Sequence, residues 1–152
     1  MLAGLYFCPM STYDYKALIH ETFARQEFLN FIGAKITVIE QGYCEMEIPY
    51  RDELTQQNKF FHAGIVGTLA DNAAGMAAFS TMEEGSSILS VEYKVNLLAP
   101  AKGEVLIARA KVIKAGKTLT VCNADVFARN GADEKLCATA TVTLMALKNY
   151  TK

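Results

Sequence analysis

From His62 to Met82 the chain reads HAGIVGTLADNAAGMAAFSTM. Drawn as a helix, this stretch puts apolar or small side chains on nearly every face. Such a helix has no side to offer water, so it has to be surrounded. Gly64, Gly67 and Gly75 each cost roughly 1 kcal/mol of helix propensity. Local stability therefore does not explain them, and close approach of neighbouring backbone does.

The rest of the chain supplies strands to do the surrounding. Four runs follow the helix, over residues 87–98, 103–114, 117–129 and 136–147. They place Leu89, Val91, Tyr93, Val95 and Leu97 on one face of the first. Leu106, Ala108, Ala110 and Val112 share a face of the second, and Cys122, Ala124, Val126 and Ala128 a face of the third. In the last, Leu136, Ala138, Ala140, Val142 and Leu144 point inward. Period two with turn residues between runs predicts an antiparallel meander. Before the helix, 35–40 and 43–49 flank Gln41-Gly42 as a hairpin. At the start, Ser11 is expected to cap an N-terminal helix from about Asp14 to Asn30, with Leu18, Ile19, Phe23, Phe28 and Leu29 on its apolar face and Gly33 beyond its end. Two strands, a buried helix and four strands make an α+β plan. One curved antiparallel sheet wrapped around one long central helix, the hotdog fold, buries that helix with the fewest elements. Its 152 residues are expected to form a single domain.

Charge and cysteine usage exclude several functions. Net charge is −1 and no Lys/Arg run exceeds two, so no nucleic-acid footprint is expected. No apolar run approaches the roughly 20 residues of a membrane span. The apolar start, MLAGLYFCPM, lacks a basic segment and reaches Asp14 quickly, so it is not read as a signal peptide. Cys8, Cys44, Cys122 and Cys137 form no C-x-x-C pair and only two histidines are present, so neither a metal site nor a cofactor is expected. Scattered thiols without a secretion signal suggest the cytoplasm.

Asp71 is the most informative residue. It lies mid-helix, with Leu69-Ala70 before it and Ala73-Ala74 after. A carboxylate there is paired, protonated or functional, and facing a cleft it would serve as general base or nucleophile. His62, Ala63 and Gly64 open the same helix, where free N–H groups and the helix dipole favour negative charge. A carbonyl turning into an oxyanion wants such donors. His62 and Asp71 are nine positions apart, about 13.5 Å along a helix. One chain cannot bring both to one carbonyl, so a shared site needs two subunits related by a two-fold axis.

The segments FFHAGIVGTLADNAAG and SVEYKVNLLAPAKGEVLIARAKVIKAGKTL resemble the PaaI-like (phenylacetic acid degradation-type) branch of hotdog acyl-CoA thioesterases. The similarity spans about residues 30 to 147. It implies hydrolysis of an aromatic or medium- to long-chain acyl-CoA by a homodimer with composite sites, assembled as a homotetramer. It implies Asp71 as base or nucleophile, Gln56 placing the thioester or water, the Ala63 amide polarising the carbonyl, and Ser90 holding water. His62 completes the catalytic set. Gly64, Asn58, Phe61 and Lys117 are the expected substrate contacts. Phe60, Phe61 and Met82 would line an acyl tunnel, and Lys59, Lys94, Lys114 and Lys117 would meet phosphates. The family usually reads His-Gly-Gly where this chain reads His62-Ala63-Gly64, and alanine keeps the N–H. The family's occasional hydroxyl four positions after the acid is Gly75 here, which favours Ser90. Two alternatives stay open: a non-catalytic acyl-CoA-binding protein, kept open by Ala63, and an acyl-thioester hydratase or dehydratase. The absence of any histidine after Asp71 argues against the second.

Overall fold

In the computed structural model, which describes residues 13–148, the central helix runs over Ala63–Phe79. The helices are α1 (Tyr15–Ala24), α2 (Glu27–Ile32) and α3 (Ala63–Phe79), and a short 3-10 turn spans Asp52–Leu54. The strands are β1 (Lys35–Glu40), β2 (Tyr43–Pro49), β3 (Ser86–Leu97), β4 (Val105–Ala115), β5 (Leu119–Asn130) and β6 (Asp133–Lys148). They form one antiparallel sheet in the order β1-β2-β4-β5-β6-β3. α3 packs against every strand. Its Leu69, Ala70, Ala73, Ala74, Ala77 and Ala78 are fully buried, as are Ala108, Ala110, Ala124 and Ala138 of the sheet it packs against. Alanine facing alanine lets helix and sheet backbones approach closely. The Cys122 thiol, on β5, lies 3.5 Å from the Ala74 carbonyl oxygen, which it can donate to.

The meander holds for β4-β5-β6 but not for β3, which pairs with β6 at the far edge rather than with β4. A period-two pattern specifies a strand's faces, not its partner. A bulge changes the faces as well. Ser90 pairs with Leu144 and Glu92 with Thr143, leaving Val91 out of register. Ser90 therefore shares a face with Tyr93 and Val95, toward α3, and not with Glu92. A Cβ on Gly67 would lie 3.7 Å from the Tyr93 ring. A second register shift, near Cys137, turns Leu136 outward and Cys137 inward.

The N-terminal helix is two helices. Gln26, at φ −86° and ψ 90°, breaks it between α1 and α2. Asp14, not Ser11, caps α1 by accepting the Ala17 N–H at 3.0 Å. Ser11 lies outside the described residues. Because the helix restarts, Phe28 leaves the apolar face and stands exposed, while Ile19 and Leu29 stay buried. Gly33 ends α2 at φ 76°, where its N–H reaches the Asn30 and Leu29 carbonyls.

Cys44, Cys122 and Cys137 are free and buried. Burial pushes their thiols up to about 12, 12 and 11. Cys8 lies outside the described residues. Among the described residues no cluster of three metal-ligating side chains occurs and no helix is long and apolar enough to cross a membrane.

Candidate active site

The start of α3 is built by His62. Its backbone is extended at φ −62° and ψ 141°, and its N–H donates to the Leu54 carbonyl at 2.9 Å. Its ring folds back so that Nδ1 accepts the Gly64 N–H at 2.9 Å. A Cβ at position 64 would sit 3.1 Å from that nitrogen, so glycine is what gives the ring room. Two of the three expected donors are thereby spent. The Ala63 N–H alone has no acceptor among the described residues. Ala63 has no positive φ, so its methyl group brings no backbone strain.

Ala63 lines a cavity of about 540 Å³ together with Gln56, Asn58, Phe60, Phe61 and Leu98. A tight turn shapes this wall. The Gln56 N–H donates to the Phe60 carbonyl and the Lys59 N–H to that of Gln56, both at 2.9 Å. Lys59 takes φ 63° to close it. Oε1 of Gln56 accepts the Asn58 N–H, so the carboxamide oxygen is held and its NH₂ is left to donate. Phe61 is buried edge-on against Tyr50, ring centres 5.7 Å apart.

Asp71 lies eight positions further along α3 than Ala63, about 12 Å on the helix axis. It is half-buried, and Ser90 Oγ donates to its Oδ1 at 2.8 Å. Burial raises the carboxyl above the usual range and the Ser90 hydrogen bond opposes that rise. Asp71 and Ser90 line a second cavity of about 280 Å³ with Thr22, Gln26, Asn72, Gly75, Met76, Ile88 and Leu144. Asn72 is engaged structurally, its amide donating to the Thr68 carbonyl at 2.9 Å. The expected residues thus fall into two groups in one chain: Gln56, Asn58, Phe61 and Ala63 at one cavity, Asp71 and Ser90 at the other. Sequence reading missed Thr22 and Gln26. Their four-residue spacing within the single helix expected over 14–30 was the available signal, and it was hidden by reading only that helix's apolar residues.

Other expected contacts lie elsewhere. Lys117 sits in the turn between β4 and β5, where its charge acts on Glu83, and it lines neither cavity. Lys59 is paired with Asp52 at 3.2 Å. Met82 packs against the core. His62 and Gly64 face a further cavity of about 360 Å³ with Thr68 and Phe28. What the arrangement offers chemically is an unspent amide at a helix N-terminus, and a carboxylate with raised proton affinity beside a hydroxyl.

Comparison with known proteins gives the family. The profile of the Thioesterase superfamily matches residues 58–135. A thioesterase family protein from Silicibacter pomeroyi has a crystal structure that is 47% identical, covers 90% of this chain and 100% of its own, and gives a TM-score of 0.88. Human acyl-coenzyme A thioesterase 13 is 36% identical over 68% of this chain and 74% of its own. The PaaI protein of E. coli is 18% identical and shares the fold, with a TM-score of 0.78 over 88% of this chain and 93% of its own. With an α3 that carries both an unspent amide and a half-buried carboxylate inside this wrapped sheet, the chain belongs to the thioesterase superfamily and is a thioester hydrolase.

Proposed function

We propose that the substrate is an acyl-CoA and that each site is composite, formed across a homodimer. The separation of Ala63 and Asp71 into two cavities of one chain, about 12 Å apart along α3, carries this reading. The thioester oxygen accepts the Ala63 N–H of one subunit. Asp71 of the other, oriented by Ser90, takes a proton from water as that water attacks the carbonyl carbon, or attacks it directly. The Gln56 NH₂ steadies the thioester. Coenzyme A leaves as a thiolate, with little need of acid because a thiol ionises at about pH 8.5. His62 acts through its backbone and ring to shape the helix start. The aromatic or medium- to long-chain acyl class implied by the resemblance, the homotetramer, the single-domain organisation and the cytoplasmic setting belong to the same reading.

The dimer seam is assigned to β3. It is an edge strand, and Leu89, Val91, Tyr93 and Leu97 stand exposed along it. An exposed apolar edge is a template for pairing with another strand. Thiol release from short, long and aromatic acyl-CoAs tests the proposal. The native chain is expected to hydrolyse one class, and Asp71→Asn to lose that activity by at least about 10²-fold. Binding without thiol release in the native chain would favour an acyl-CoA-binding protein instead.

A further inference from the structure

We infer that the N-terminal helix sets acyl selectivity, with Thr22 and Gln26 recognising a hydrogen-bonding group at the tip of a medium-chain acyl group of about six carbons. This rests on the reading of Asp71 as the catalytic carboxylate, because the two residues line the same cavity as Asp71. That cavity has three walls. α3 gives Asp71, Asn72, Gly75 and Met76, the sheet gives Ile88, Ser90 and Leu144, and Thr22 of α1 with Gln26 at the helix break gives the third. The apolar part is short. Asp71 to Gly75 is one helical turn, about 6 Å, and Ser90 to Ile88 is two strand residues, about 6.6 Å. A volume of about 280 Å³ holds on the order of nine water-sized groups.

The third wall is polar and unspent. Neither the Thr22 hydroxyl nor the Gln26 carboxamide takes part in a side-chain hydrogen bond among the described residues. Gln26 stands at the N-cap of α2 and yet makes no side-chain cap bond. Both are half-buried. A wall that only had to seal the cavity is better made of leucine and valine, whereas Thr22 and Gln26 keep hydrogen-bonding groups at its edge. An acyl group carrying a terminal hydroxyl satisfies them, and a plain alkyl end leaves them unpaired.

Hexanoyl-CoA and 6-hydroxyhexanoyl-CoA form the test pair. The native chain should favour the hydroxylated substrate by about tenfold in kcat/KM. Gln26→Leu and the near-isosteric Thr22→Val, each with its thermal unfolding checked and kcat/KM measured for both substrates, should each reduce or reverse that ratio. Equal kcat/KM for the two substrates, a ratio indifferent to both substitutions, or turnover of longer acyl-CoAs only would overturn the inference and leave the thioesterase reading standing. No thiol release from any acyl-CoA would instead remove the reading on which the inference rests.

Discussion

Ala63 is the position where one atom separates structure from chemistry. It is the first residue of α3, where a missing N–H costs the helix nothing and proline is favoured. His62 before it already has the extended backbone that a following proline demands. Ala63→Pro should therefore leave the unfolding midpoint nearly unchanged while kcat falls about 10²- to 10³-fold, the cost of one oxyanion donor. Retained activity with normal stability would show that the amide is not the donor. Asp71 gives a pH prediction. A general base works ionised, and burial holds this carboxyl above its ordinary range. Activity should thus fall on acidification at a higher pH than for an ordinary aspartate. Ser90 lowers that value, so Ser90→Ala should shift the acid limb of kcat further up in pH. For stability the sign reverses. A carboxyl with a raised folded pKa holds its proton more tightly when folded, so stability is lost as pH rises from the unfolded to the folded value. Asp71→Asn should unfold at a higher temperature at neutral pH. Asp71 was legible because a charge amid alanines is conspicuous. That Gly64's amide is engaged was not, because the bond comes from a ring turning back on its own chain.

At the scale of elements, β1, β2 and the central helix could be read from residue patterns alone, since turn residues and apolar periodicity mark their limits. Pairing order and bulges escaped. One extra residue near Val91 and another near Cys137 reverse the faces of the strand residues beyond them, and no local periodicity announces them. The reversal at Val91 is what brings Ser90 to Asp71. The alanine-on-alanine seam makes its own prediction. Ala74 is fully buried, with its carbonyl 3.5 Å from the Cys122 sulfur. Ala74→Leu should lower stability by about 1–3 kcal/mol in denaturant unfolding, the usual cost of overpacking. A neutral result would mean that the helix can lift from the sheet.

For the whole molecule, a composite site can be tested without a structure of the dimer. Asp71→Asn and Ala63→Pro chains are each expected to be inactive. Unfolded together and refolded as a mixture, they should regain about a quarter of native activity, because half the dimers are mixed and each mixed dimer has one intact site of two. No recovery, with dimers confirmed by light scattering, would place Ala63 and Asp71 in a single chain's chemistry. The buried cysteines have a consequence of a different kind. Every turnover of a thioester hydrolase liberates a thiol, and under oxidising conditions such products become disulfides that trap any accessible thiolate. Cys44 and Cys122 are fully buried in the core and line neither cavity, and burial keeps their thiols protonated. The folded chain thus shields these two sulfurs from being capped by its own released product, and that redox tolerance comes from the same packing that buries its helix.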